Sequence, residues 1–292
     1  MTQDRRLPLV VGVDASEAAL RATRFAADEA RRRRVPLRIV HAFDWDWGEH
    51  RLDAGVEETE AARLLADTVV VSAFDRAREV APDITIETDT LIGPAVPRLL
   101  EVSRGAELLV VGNRGRGGFA GLLLGSVSQR VATHALCPVV VVRGRRSVIG
   151  GPIAAGVDHS QAADLVLQSA FTAASEQGCS LAVIRAYEPV IPLSLAPAAP
   201  RTVAIPAQDE AEQARLEARL APWRAKYPEV PVDEVISHES AASALVKASQ
   251  HARLVVVGSR GRGLITGGLL GSTGLQLLHH AECPVHIARP VS

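Results

Sequence analysis

The feature that most constrains this chain is a long internal duplication. The stretch "VGNRGRGGFAGLLLGS" at 111–126 returns as "VGSRGRGLITGGLLGS" at 257–272. Two further segments return with it: "VVGVDAS" (10–16) as "AAGVDHS" (154–160), and "ALCPVVVV" (135–142) as "AECPVHIA" (281–288). Asp14 maps to Asp158, 144 residues on, while Gly112 maps to Gly258 and Cys137 to Cys283, each 146 residues on. Solenoid repeats are far shorter than this, so the period describes two copies of one domain. The 292 residues are enough for two ordinary cores. The seam falls near "RGRRSVIGG" (143–151), which predicts domains at 1–146 and 147–292.

Within each copy, apolar runs alternate with amphipathic stretches. "PLVVGVD" has the continuous apolar character of a strand buried on both faces. Ser16 is placed to cap a helix running to about Arg33, with Ala19, Leu20, Thr23, Ala26, Ala27 and Ala30 on one side. Further strands are predicted at 37–43, 84–92, 107–112 and 138–143, with helices over about 57–80, 94–104 and from Ser126. In the second copy the strands fall near 153–158, 181–186, 230–236, 253–258 and 284–289. Strand–helix alternation of this kind predicts an α/β fold, a parallel sheet with helices on both faces. If the strand order in each copy is 3-2-1-4-5, the crevice beyond the carboxyl ends of strands 1 and 4 is where a ligand binds. Asp14 or Asp158 ends strand 1, and the glycine loop follows strand 4, so both signatures converge there.

The loop reads G-x2-G-x9-G-[ST]: Gly112, Gly115, Gly125, Ser126, and then Gly258, Gly261, Gly271, Ser272. Glycine permits positive φ and close approach of a ligand to the main chain. Gly125-Ser126 opens a helix whose free N–H groups and dipole favour an anion such as phosphate. The plain alternative is a tight strand-to-helix connection that needs glycine only for its turn. The same spacing at both predicted switch points weighs against it. A Walker loop is excluded, because it needs Gly-Lys-Ser/Thr and the only lysines are Lys226 and Lys247. The substring from Gly115 to Ala120 mimics a GxGxxA dinucleotide fingerprint, but that motif belongs after the first strand of its unit and here follows the fourth.

Asp after strand 1, the G-x2-G-x9-G-[ST] loop after strand 4 and a closing "CPV" strand together resemble the universal stress protein family, in its tandem two-domain form. The similarity spans about 8–144 and 152–290. It implies two Rossmann-like domains of five parallel strands and, for this loop subclass, bound ATP at two sites per chain, with Mg²⁺ held by the phosphates and no metal-ligating side chain. It also implies an adenine end at Gly12, Asp14, Val40 and Ala42, and at Gly156, Asp158, Ile184 and Ala186. The implied phosphate end is Gly112, Asn113, Arg114, Gly115, Arg116 and Gly117 with Gly125, Ser126 and Val127. In the second copy it is Gly258, Ser259, Arg260, Gly261, Arg262 and Gly263 with Gly271, Ser272 and Thr273. The copies differ where the first has "GSVS" (125–128) and the second "GSTG" (271–274), so a weaker second site is expected. The connections after strand 2 also differ: "DWDWGEHRLDAG" (44–55), with Trp45 and Trp47 as possible stacking rings, against the Pro-rich 188–208.

The remaining features read as structural. A formal net charge of −1 gives no electrostatic case for a nucleic-acid partner, and "RRRR" (31–34) suits the end of the first helix. No apolar run approaches the roughly 20 residues of a membrane span. Three cysteines and no signal peptide predict a cytoplasmic protein without disulfides. His41, His134, His279, His280 and His286 lack metal-ligand spacing, and no nucleophile–base pair stands out. The function expected is therefore nucleotide-dependent regulation in a stress response. A slow ATPase or phosphotransferase on the same sites is the alternative, disfavoured by the lack of a catalytic lysine. The last strands, beginning at Pro138 and Pro284, are predicted sheet edges through which the copies pair, with a homodimer of chains beyond that.

Overall fold

The computed structural model describes residues 6–43, 56–115, 123–144, 150–189, 206–259 and 270–290. The chain divides into two compact units, Met1–Arg143 with Pro290–Ser292, and Gly144–Arg289. In the first unit the strands are β1 (Leu9–Val13), β2 (Leu37–Phe43), β3 (Ile86–Ile92), β4 (Leu108–Gly112) and β5 (Val139–Val142). The helices are α1 (Glu17–Arg33), α2 (Val56–Val80), α3 (Ala95–Val102), extended by a 3-10 turn at Ser103–Gly105, and α4 (Ser126–His134). In the second unit the strands are β6 (Ile153–Gly156), β7 (Leu181–Ala186), β8 (Val232–Ser237), β9 (Leu254–Gly258) and β10 (Val285–Ala288). Its helices are α5 (Ala162–Gln177), α6 (Pro206–Lys226), α7 (Ala241–Ser249) and α8 (Ser272–His280).

Each unit has the expected topology. The first runs β3-β2-β1-β4-β5 and the second β8-β7-β6-β9-β10, all pairs parallel. In the first unit one face of the sheet packs Leu9, Val11, Leu37, Ile39, Leu108 and Val110 against the alanine face of α1 and against Val70, Ala73 and Ala77 of α2. Alanines at 19, 22, 26, 27 and 30 let α1 lie close on the sheet. Strand and helix ends match the sequence expectations to within about two residues. The shifts of two residues include β3 and β8, which begin later than expected, in both cases just after a proline-containing turn, and β6, which ends earlier.

The two leading helices end in the same left-handed conformation with different residues. Gly178 closes α5 at φ 57°, and Arg34 closes α1 at φ 55°. A Cβ disfavours that region, so the first unit carries a strain that the second avoids.

Candidate functional site

At the carboxyl ends of β1 and β4 the predicted convergence is found. Asp14 Oδ1 accepts the Ser16 N–H at 3.0 Å, and Ser16 Oγ then caps α1 by accepting from the Ala19 N–H at 3.1 Å. The Ser16 hydroxyl also donates to the Arg114 carbonyl at 3.3 Å, joining the two signatures across 98 residues of sequence. A Cβ on Gly115 would lie 2.5 Å from Asp14 Oδ2, so this glycine leaves space for the acid. A Cβ on Gly112 would lie 2.7 Å from the backbone carbon of Ala18, so that glycine is required by the packing of α1 whatever else binds. Neither residue is at positive φ, and Gly125 and Gly271 sit at φ −81° and −60°. Of the two properties glycine offers, positive φ and close approach, the loop glycines among the described residues use close approach.

The same geometry fixes how each helix begins. The Asn113 N–H donates to the Val142 carbonyl at 3.0 Å, and the Gly125 N–H to the Asn113 carbonyl at 2.8 Å, closing the loop onto β4. The counterparts are Ser259 N–H to Ala288 carbonyl and Gly271 N–H to Ser259 carbonyl, both 3.1 Å. Gly125 and Gly271 are the N-caps of α4 and α8, and neither helix start is bonded by its cap's side chain. Ser126 and Ser272 are exposed, and Val127 and Thr273 half-buried. Such a start presents main-chain N–H groups to an anion. Of the adenine-end residues, Gly12, Asp14 and Ala42 are half-buried and Val40 is fully buried. Arg116, Gly117, Arg260, Gly261, Arg262 and Gly263, and both tryptophans of 44–55, lie outside the described residues.

In the second unit these elements surround a cavity of about 590 Å³. Gly156 ends β6 and reaches it with Asp158 just beyond, Ile184 and Ala186 reach it from β7, Gly258 from β9, and Gly271, Ser272 and Thr273 from the start of α8. Every second-copy site residue predicted from sequence and described by the structure lines it, with the exception of Ser259. Its size is in the range of roughly 300–1,000 Å³ usual for small-molecule sites.

The structure also brings charged groups to this rim that sequence reasoning missed. Arg185 is buried within β7, where its Nε donates to Glu212 Oε2 at 2.8 Å and its guanidinium also donates to the Ala186 carbonyl at 2.9 Å. His159, beside Asp158, lies 3.0 Å from the same carboxylate oxygen, and Arg215 donates to the other at 2.8 Å. Burial alone would raise the Glu212 pKa; the hydrogen bonds from His159 and Arg185 overcome it and hold the carboxyl below its ordinary value. Arg219 of α6 donates to the Asp158 carbonyl at 2.9 Å. The one available signal was an arginine in the otherwise apolar "LAVIRA", since a charge in a buried strand needs a partner.

Comparison with known proteins agrees with this geometry. The model of the universal stress protein family matches residues 6–143 and again 151–289. A universal stress protein of Mycobacterium tuberculosis is 37% identical over 293 residues, covering 97% of this chain and 96% of its own length. One from Mycolicibacterium smegmatis is 31% identical over 297 residues, with 97% of each chain covered. In fold, the chain is similar to the crystal structure of a universal stress protein from Archaeoglobus fulgidus, with a TM-score of 0.73 at 18% identity, covering 97% of this chain and 98% of that one. A family model matched twice along the chain, over the two units that carry the duplicated Asp and glycine-loop signatures, makes this protein a tandem member of the universal stress protein family.

Proposed function

We propose that each repeat binds one adenine nucleotide, ATP in the cell, and that occupancy of the two sites regulates a stress response in the cytoplasm. The observation that carries this reading is the cavity of the second unit. Four separate elements bring a strand-end acid, glycines and an uncapped helix start around one space of about 590 Å³. Such a site suits a ligand with an apolar flat part and an anionic end: Ile184 and Ala186 offer the apolar wall, and the start of α8 the N–H groups. Asp158, through the carboxylate oxygen not engaged by the Ser160 N–H at 2.9 Å, is placed to accept from a ribose hydroxyl. Mg²⁺ enters the proposal as the counter-ion of the phosphates, with its remaining ligands supplied by water. In the first unit Asp14, Gly115 and the start of α4 hold the same places.

The test is direct. The freshly purified chain is denatured, and the released small molecules are identified by mass spectrometry. An adenine nucleotide in near-stoichiometric amount supports the reading. A chain that releases none, and takes up none on dialysis against millimolar ATP, would sink it. The proposal extends to assembly, on sequence grounds: the apolar strands after Pro138 and Pro284 pair the two repeats, and chains associate as a homodimer. Val140→Pro removes a ladder donor from the first of these strands and should cost about 3 kcal/mol or less at a sheet edge. Hydrogen exchange unchanged in the second repeat of that variant would contradict the pairing.

A further inference from the structure

Beyond the residues that the glycine-loop signature accounts for, the second cavity has an aromatic wall whose orientation is fixed by its neighbours. Tyr187 follows β7 directly and lines the cavity between Ala186 and Glu188. Its N–H donates to the Ser237 carbonyl at the end of β8, at 2.9 Å. Its hydroxyl donates to Asp209 Oδ1 of α6 at 2.5 Å, and its ring meets His238 edge-on, with centroids 5.3 Å apart and planes at 84°. His238 Nε2 lies 2.6 Å from the same Asp209 oxygen. Tyr187, Asp209 and His238 thus close a small polar ring behind one half-buried aromatic. Burial, and then the Asp209 carboxylate, push the Tyr187 hydroxyl up to about 12, so it stays a neutral donor across the physiological range. The tyrosine hydrogen bond, and then that from His238, hold Asp209 below its ordinary value, so the acceptor stays charged.

We propose that Tyr187 contacts the nucleobase in the second repeat and selects a purine over a pyrimidine, with Asp209 and His238 as positioning residues. This rests on the nucleotide reading of the same cavity. A ring already held in place loses little side-chain freedom when a ligand arrives, so its contact is expressed in affinity. The larger face of a purine overlaps an aromatic more fully than a pyrimidine does. The equivalent residue in the first repeat, 144 positions earlier, is Phe43, which has a ring but no hydroxyl to anchor in this way. Base selection is therefore expected to be sharper in the second repeat, even if its phosphate contacts are weaker.

The experiment follows hydrogen exchange of the second-repeat peptides spanning β9 and the start of α8 in the full chain, titrated separately with AMP, CMP and ribose 5-phosphate. In the parent protein, protection requires less AMP than CMP or ribose 5-phosphate. Tyr187→Leu should raise the AMP midpoint about tenfold and leave the ribose 5-phosphate midpoint in place. Tyr187→Phe keeps the ring but loses its anchor, so it should narrow the gap between AMP and CMP without abolishing it, and Asp209→Asn should do the same. A Tyr187→Leu chain that keeps the parent's preference would overturn the proposal, as would one that loses AMP and ribose 5-phosphate equally, the mark of a merely structural role. If the parent shows no AMP protection, the nucleotide reading itself fails, a result separate from the variants. Should Tyr187→Leu not fold, photolabelling of the parent with 8-azidoadenosine monophosphate decides. An adduct on the peptide carrying Tyr187 supports the assignment, and adducts confined elsewhere overturn it.

Discussion

The two repeats share a backbone plan and place their buried charge at opposite ends of it. In the first, Glu29 of α1 is buried and paired with Arg33 at 2.5 Å and Arg32 at 2.8 Å. Arg33 also reaches Glu107 at 3.0 Å, just before β4, so the cluster sits at the amino ends of the strands, away from the glycine loop. In the second, Glu212 gathers Arg185, His159 and Arg215 at the carboxyl ends, beside the cavity. A buried ion pair at the far end of a sheet can serve the fold alone. One at the ligand end also sets the field and the shape of the site. The duplication thus preserved the glycine loop and the strand-end acid, while the polar groups around them diverged.

The largest test of this contrast is to remove each acid. Glu212→Leu leaves Arg185 buried without its carboxylate, costing about 3 kcal/mol of stability in chemical denaturation, while Glu29→Leu should cost less, because the half-buried Arg33 keeps Glu107 at 3.0 Å. Only Glu212→Leu should also weaken nucleotide at its own repeat. If Glu29→Leu weakens binding equally, the distinction between the two clusters is wrong. Acid should reproduce the stability loss without mutation. Both glutamates are held below the ordinary value of 4.5, so their contribution is complete above it and disappears as pH falls through the folded values. Thermal unfolding followed from about pH 6 down to about pH 3 should show a falling midpoint that is shallower in Glu212→Gln.

A smaller effect is expected at the helix that follows each loop. Ser128 Oγ, buried, donates to the Gly112 carbonyl at 2.6 Å and ties the first turn of α4 to the end of β4. Ser128→Ala should cost about 1–2 kcal/mol in urea unfolding. Its counterpart Gly274 has no side chain, and Leu270 lies over it, where a Cβ would meet the Leu270 methyl at 2.9 Å. The smallest effect concerns the helix ends. Arg34→Gly should stabilise the first repeat by about 0.5–1 kcal/mol, and Gly178→Ala should destabilise the second by about 1 kcal/mol. Arg34→Gly without any gain, or Gly178→Ala without any loss, in differential scanning calorimetry would remove helix-end strain as a difference between the repeats.

Much of this molecule was legible in its sequence, for identifiable reasons. Strands buried on both faces are continuous apolar runs, so "LLVVG" and "LVVVG" announce β4 and β9 without ambiguity. The edge strand β3, "IETDTLI", is half exposed and polar, and its start was read two residues early. The convergence of Asp14 with Gly115 followed from the order of motifs, because the switch point of a parallel sheet depends on topology. The role of each glycine did not follow: Gly112 answers to the backbone of Ala18, a contact made only by the final packing of α1. The Arg185–Glu212 and Tyr187–Asp209–His238 contacts were illegible for a different reason. They join β7, α6 and the end of β8 across sequence separations of 22 to 51 residues, and their partners are set by how α6 lies on the sheet. An arginine in a buried strand indicates that a partner exists without saying which acid supplies it.

The central claim, one independent nucleotide site per repeat, is tested most directly by titration calorimetry of ATP into the full chain and into Gly115→Ala. In that variant the new Cβ would displace the Asp14 carboxylate, 2.5 Å from where it would stand, and should disable the first site only. The account predicts two ATP molecules per chain in the parent and one in Gly115→Ala. A parent that binds none, or a variant with the parent's stoichiometry and affinities, would contradict it.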